Sequence, residues 1–183
     1  MGKTLTRAIN YIFKGVPEVD VKVEVGCLDP SSRLKDKKIL ITGGGRGLGL
    51  AIAKKCVAEG ADVLISGRSP ETLEKASAVL GGCAYSAFDV TDYENIPSFM
   101  DECSRKLGGR IDVLVNNAGI SLHEGSIYNV TLDGFDAQFG TNLKGPYFLA
   151  KAFLERFKSE DGSDGSIIFI TSERGLYCDD QPY

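Results

Sequence analysis

The sequence is short of the residues that build metal centres and disulfide frameworks. It has one histidine, His123, and five cysteines (Cys27, Cys56, Cys83, Cys103 and Cys178) that form no C-x-x-C pair and are odd in number. Reduced thiols in a reducing cytoplasm are the expectation, with His123 a surface residue and no metal cluster. No apolar run approaches the ~20 residues of a membrane span. Basic side chains number 21 against 25 acidic, a net charge of −4, so there is no basic face for nucleic acid. Internal repeats and low-complexity tracts are also missing. What remains is 183 residues of ordinary globular composition, enough for one domain with a real core.

Residues 1–36 read as an extension ahead of that domain, which is expected over residues 37–183. Leu5, Ala8, Ile9, Ile12 and Phe13 recur at helical spacing, and Val19, Val21, Val23 and Val25 alternate with Asp20, Lys22 and Glu24. The first pattern is an amphipathic helix and the second a strand with one face buried. An arm docked on its own domain and a partly ordered leader both fit.

The chemistry begins at Lys38-Ile39-Leu40-Ile41-Thr42-Gly43-Gly44-Gly45-Arg46-Gly47-Leu48-Gly49. A short apolar run reads as a strand buried on both faces, and after the glycines a helical pattern opens at Leu50. Strand, glycine turn and helix start make an anion site, because backbone N–H groups and the helix dipole meet there. Glycines let that backbone approach a diphosphate with no Cβ in the way. The spacing G-x-G-x-x-G does not fit in any register. T-G-x-x-x-G-x-G does, with Gly43, Gly47 and Gly49 in the glycine places.

More strands follow at 61–66, 83–88, 111–116 and 166–171, each apolar and separated from the next by a helical pattern. Ser69 and Pro70 read as N-cap and first residue of the helix after the second strand, with Gly81-Gly82 ending it. Thr91 or Asp92 would cap a helix from about Tyr93 to Leu107, with Pro97 in its first turn. Thr131 would cap a long helix to about Lys158, kinked at Gly145-Pro146. Its apolar stripe runs through Leu132, Phe135, Phe139, Leu143, Phe148, Leu149, Ala152 and Phe153. At the second strand end Gly67 stands where NAD-binding folds carry an acid for the ribose 2′-hydroxyl, and Arg68 follows. With Arg46, that makes two guanidiniums suited to a 2′-phosphate; two solvated surface arginines are the plainer alternative.

These motifs, with Asn116-Asn117-Ala118-Gly119 and Asn142-Leu143-Lys144-Gly145 in the expected order, resemble the compact branch of the short-chain dehydrogenase/reductase family. The resemblance implies an α/β fold, a Rossmann-type doubly wound parallel sheet of strand order 3-2-1-4-5, incomplete at its C-terminal side. It implies NADP(H), ahead of NAD(H), held by Gly43, Gly45, Arg46, Gly47, Leu48, Gly49, Arg68, Asp89, Val90, Asn117, Ala118 and Gly119. In the family Asp89 would meet the adenine, although capping a helix is its simpler role, and the Asn116 and Asn117 side chains would tie the sheet together, Asn116 being mainly structural.

The same resemblance makes Ser172 and Tyr183 the hydroxyl pair of the reaction, with Asn142 holding a water that anchors a lysine. That lysine would fall four residues past Tyr183, where this sequence has ended, so the front part of a longer protein is expected. The implied reaction is hydride transfer between the nicotinamide and a small-molecule carbonyl or alcohol. The activity of the chain as given is doubtful, and a non-catalytic nucleotide-binding module or an inactive pseudo-enzyme stays open. A homo-oligomer, dimer or tetramer, is implied for the full-length protein. The stripe facing only its own sheet is the alternative.

Overall fold

The computed structural model describes residues 32–122, 126–157 and 165–172. The expected helix and valine strand of the N-terminal extension, His123 and Tyr183 lie outside the described residues.

The centre is a parallel sheet. Strands β1 (Lys38–Thr42), β2 (Asp62–Gly67), β3 (Ala84–Ala87), β4 (Val113–Asn116) and β5 (Ser166–Phe169) stand in the order β3-β2-β1-β4-β5, as the sequence predicts. The register sets Leu40 beside Leu64 and Leu114. All three have no exposed surface. Helices α1 (Gly47–Ala58), α2 (Pro70–Val79), α3 (Ile96–Lys106), α4 (Leu132–Phe139) and α5 (Gly145–Phe157) connect the strands.

Period-two side chains divide the core into two layers. Leu40, Leu64 and Leu114 face Phe99, Met100 and Cys103 of α3 and Leu149 and Phe153 of α5. Ile39, Ile41, Val63, Ile65 and Val115 face Ala53 of α1 and Leu73 and Ala76 of α2. Covering both faces is what lets the strands be apolar throughout. Ahead of β1, the Leu34 amide donates to the Glu59 carbonyl, and Leu34 packs on the second layer.

Several local expectations hold. Ser69 caps α2 by accepting from the Thr72 amide, and Thr131 caps α4 by accepting from the Gly134 amide. One needs refinement. The helix expected from Tyr93 opens there as a 3-10 turn, Tyr93–Asn95, with Asp92 at its N-cap position, and neither Asp92 nor Asn95 ahead of α3 makes a side-chain cap bond. The long helix after Thr131 carries a π-helical turn at Gly140–Lys144, directly ahead of the Gly145-Pro146 pair where the kink is expected.

That turn also splits the apolar stripe. Leu149, Ala152 and Phe153 are buried against the sheet, while Leu132, Phe135, Phe139 and Leu143 are exposed. β5 is the outer strand among the described residues, and Ile168 and Phe169 on it and Ile170 just past it are exposed.

Candidate functional site

The sheet's C-terminal edge opens into a groove of about 480 Å³ at the point where the chain leaves β1 for one side and β4 for the other. Doubly wound sheets place ligands at such a switch point. One wall is the glycine turn, and the first turn of α1 points into it. Arg46 occupies the N-cap position of α1 with no side-chain cap, and that turn holds no acidic residue. The Gly47, Leu48 and Gly49 amides are therefore left for an outside acceptor, at the positive end of the helix dipole.

Two of the glycines are there for packing. A Cβ on Gly49 would stand 2.3 Å from the Gly43 carbonyl oxygen and 2.5 Å from the Asn117 amide nitrogen. Gly43 has φ of +65°, and a Cβ on it would meet the Ala118 Cα at 2.9 Å. Gly47 differs. Its φ is +54° and a Cβ there would meet nothing within 4 Å, so its place in the motif leaves the groove open to a ligand.

A polar clip holds the turn to the end of β4. The Asn117 side-chain amide donates to the Thr42 and Gly43 carbonyls at 3.0 and 3.2 Å. Thr42 Oγ1 accepts from the Asn117 and Ala118 amides, both at 3.1 Å. Of the two asparagines expected to tie the sheet, Asn117 does so. Asn116 is buried, and neither polar atom of its side chain finds a partner among the described residues. Side-chain alternation explains the difference: only the residue past the strand end is turned back over β1.

The far walls come from β2 and β3. Gly67, Arg68, Ser69 and Thr72 line the groove beside Arg46. Both arginines are exposed and neither makes an ion pair among the described residues. Asp89 and Val90 line the opposite wall. Asp89 is not a helix cap: its Oδ1 accepts from the Thr91 amide at 2.9 Å and the Thr91 hydroxyl at 2.8 Å, which folds its own loop. Every residue named from the sequence for the cofactor lies on this one groove. Phe88, Ile120 and Thr141 line it too, without any motif that marks them.

Of the three residues named for the reaction, Asn142 sits in the π turn next to Thr141. Its side chain pairs with the Ile120 backbone in both directions, accepting from the amide and donating to the carbonyl, each at 2.8 Å. A water would therefore be held by its main-chain carbonyl. Pro146, four residues on, has no N–H to give that carbonyl. Ser172 is exposed past the C-terminal end of β5 and is not on the groove. Thiol chemistry has no activated nucleophile among the described residues, because burial raises the Cys56 and Cys83 pKa and pushes Cys103 up to about 12. No metal-ligating cluster occurs among them either.

Residues 37–180 match the sequence model of the short chain dehydrogenase family. The chain belongs to that family. Proteins similar to it include the NADP-dependent (R)-specific alcohol dehydrogenase of Lentilactobacillus kefiri, 35% identical over 152 residues that cover 81% of this chain and 59% of that protein. The galactitol 2-dehydrogenase of Agrobacterium fabrum is 36% identical over 155 residues, 80% of this chain and 59% of its own. The sorbitol dehydrogenase of Cereibacter sphaeroides is 37% identical over 147 residues, 78% and 55%. The chain thus spans somewhat over half the length of these relatives. No described helix is long and apolar enough to cross a membrane.

Proposed function

We propose that the groove binds NADP(H) and that the protein is an oxidoreductase of small alcohols, polyols or their carbonyl forms. The observation that carries this reading is the uncapped N-terminus of α1 facing a groove with two arginines that make no ion pair among the described residues. The diphosphate would take the Gly47–Gly49 amides, and the absent Cβ of Gly47 leaves it room. Arg46 and Arg68 suit a 2′-phosphate, and β2 ends on Gly67 with no carboxylate to repel it. The alcohol and polyol dehydrogenase names among the relatives support the substrate class.

The bound nicotinamide supplies or accepts the hydride. The protein's part is to hold and move a proton. Ser172 would hydrogen-bond the substrate oxygen and stabilise charge growing on it, and Tyr183 would deliver or remove the proton. A phenol titrates near pH 10, so working at neutral pH takes a shift of roughly three units, about 4 kcal/mol. Asn142 would hold the relay water on its main-chain carbonyl while its side chain fixes Ile120. The exposed face of Leu132, Phe135, Phe139 and Leu143 suits a second copy of the chain, and the free thiols suit the cytoplasm.

Calorimetry with NADPH and NADH tests the reading. NADPH should bind the more tightly, and replacing Arg46 or Arg68 by Ala should weaken NADPH roughly tenfold each with little effect on NADH. Equal affinity for both cofactors would refute the 2′-phosphate assignment. Turnover of a polyol panel then separates an enzyme from a module that only binds the nucleotide.

A further inference from the structure

The π turn that carries Asn142 is wedged between two loops that wall the groove. On one side its end rests on the main chain of the β3–α3 loop. A Cβ at Gly145 would stand 2.6 Å from the Val90 carbonyl oxygen and 3.1 Å from the Val90 Cβ. At the start of the turn, a Cβ on Gly140 would meet the Tyr93 hydroxyl at 2.9 Å. The Lys144 ammonium lies 4.2 Å from the centre of the Tyr93 ring. On the other side Asn142 holds Ile120, and its Oδ1 lies 3.3 Å from where a Cβ on Gly119 would be. Val90, Gly119, Ile120 and Thr141 all line the groove.

We propose that Gly145 is a positioning residue: it lets the π turn settle onto the Val90 carbonyl and so sets the depth at which Asn142 meets Ile120. Val90 is buried, and the Asp89 turn beside it fixes its main chain. It has nowhere to go, so any side chain at 145 lifts the turn instead. Gly140 is the contrasting case. The atom it faces is the far end of a half-buried tyrosine, which swings aside more easily. The turn therefore rests firmly at one end and tolerates change at the other. Through Asn142 that seat holds the Gly119–Ile120 loop, and its consequence for affinity rests on the reading of the groove as an NADP(H) site.

The Ile120 amide is the direct readout, since it donates to Asn142 Oδ1. Hydrogen exchange by NMR on the full chain should be faster at Ile120 in Gly145→Ala by about tenfold, the loss of one clamp bond. The Asn117 amide, bonded to Thr42 Oγ1, should stay as protected as before. Affinity for NADPH should fall by a similar factor. An unchanged Ile120 rate overturns the proposal. So does equal loss of protection at both amides, which would make Gly145 a general packing residue, and so does full NADPH affinity in a variant whose parent binds NADPH. If the parent fails to bind NADPH while Ile120 responds as stated, the positioning role stands and the cofactor reading falls. Should Gly145→Ala not fold, Asp89→Ala carries the test, because it frees the Val90 main chain on which Gly145 rests: Ile120 exchange rises about threefold with the Asn117 amide as protected as before. An unchanged Ile120 rate in that variant overturns the proposal.

Discussion

Replacing Gly49 by Ala separates a packing glycine from a binding glycine. The new Cβ would lie 2.3 Å from the Gly43 carbonyl oxygen, where ordinary contact begins at 3.4 Å, so α1 and the turn must part by about 1 Å, an overpacking that costs about 1–3 kcal/mol. The movement also strains the Asn117 bonds to Thr42 and Gly43, about 1 kcal/mol each. Exchanging Gly for Ala in a helix returns about 1 kcal/mol. The net loss is about 2–4 kcal/mol, a large part of the 5–15 kcal/mol typical of a domain. Urea denaturation should show the midpoint lowered by about 1 M at unchanged slope. Gly47→Ala is the control. It meets no atom and is strained only by its φ of +54°, about 1–2 kcal/mol, yet it fills space on the groove, so it should lose more affinity for NADPH than stability. A Gly49→Ala chain that melts at or above the parent midpoint would refute the close-approach argument.

Thr42→Val removes the acceptor for two amides and should lower stability by about 1–3 kcal/mol; an unchanged urea midpoint would show that the clip carries no weight. Cys103 keeps its proton in the folded chain up to about pH 12, whereas an unfolded thiol loses it near 8.5. Above that value the folded state binds the extra proton, so stability should fall as pH rises, and Cys103→Ala should show a shallower fall between pH 8 and 10.5. Glu102 is held below the usual carboxylate range by Lys106 first and the Ser86 hydroxyl second. Its contribution should be complete above about pH 4.3 and vanish as pH drops through the lowered value, because the unfolded chain then binds more protons. An acid limb identical in Glu102→Gln would speak against that pairing.

The sheet was legible because each strand is a bounded apolar run and each connection a helical pattern, which permits one right-handed parallel winding. The groove was legible through its glycines, since a Cβ at Gly43 or Gly49 has nowhere to go and the motif records that constraint. Other features left no local signal. Thr42 and Asn117 find each other across β1 and β4, a contact that neither neighbourhood announces. The π turn at Gly140–Lys144 abuts the pair that announces it, since Pro146 lacks a donor and the hydrogen-bond ladder relaxes in the residues ahead of it. The helix stripe reads as one face, yet Leu132, Phe135, Phe139 and Leu143 are exposed while Leu149, Ala152 and Phe153 are buried, a change that the spacing does not announce. β4 ends on Asn116 as the sequence predicts, and the amide that reaches β1 is the next one, Asn117, because one position decides which way a side chain faces.

Isothermal titration of the chain with NADPH, repeated with NADH and with NADPH on the Arg46→Ala/Arg68→Ala chain, tests the central claim most directly. Saturable one-site binding of NADPH is predicted, tighter than NADH and weakened roughly a hundredfold in the double variant. No heat from either cofactor would contradict the assignment of the groove.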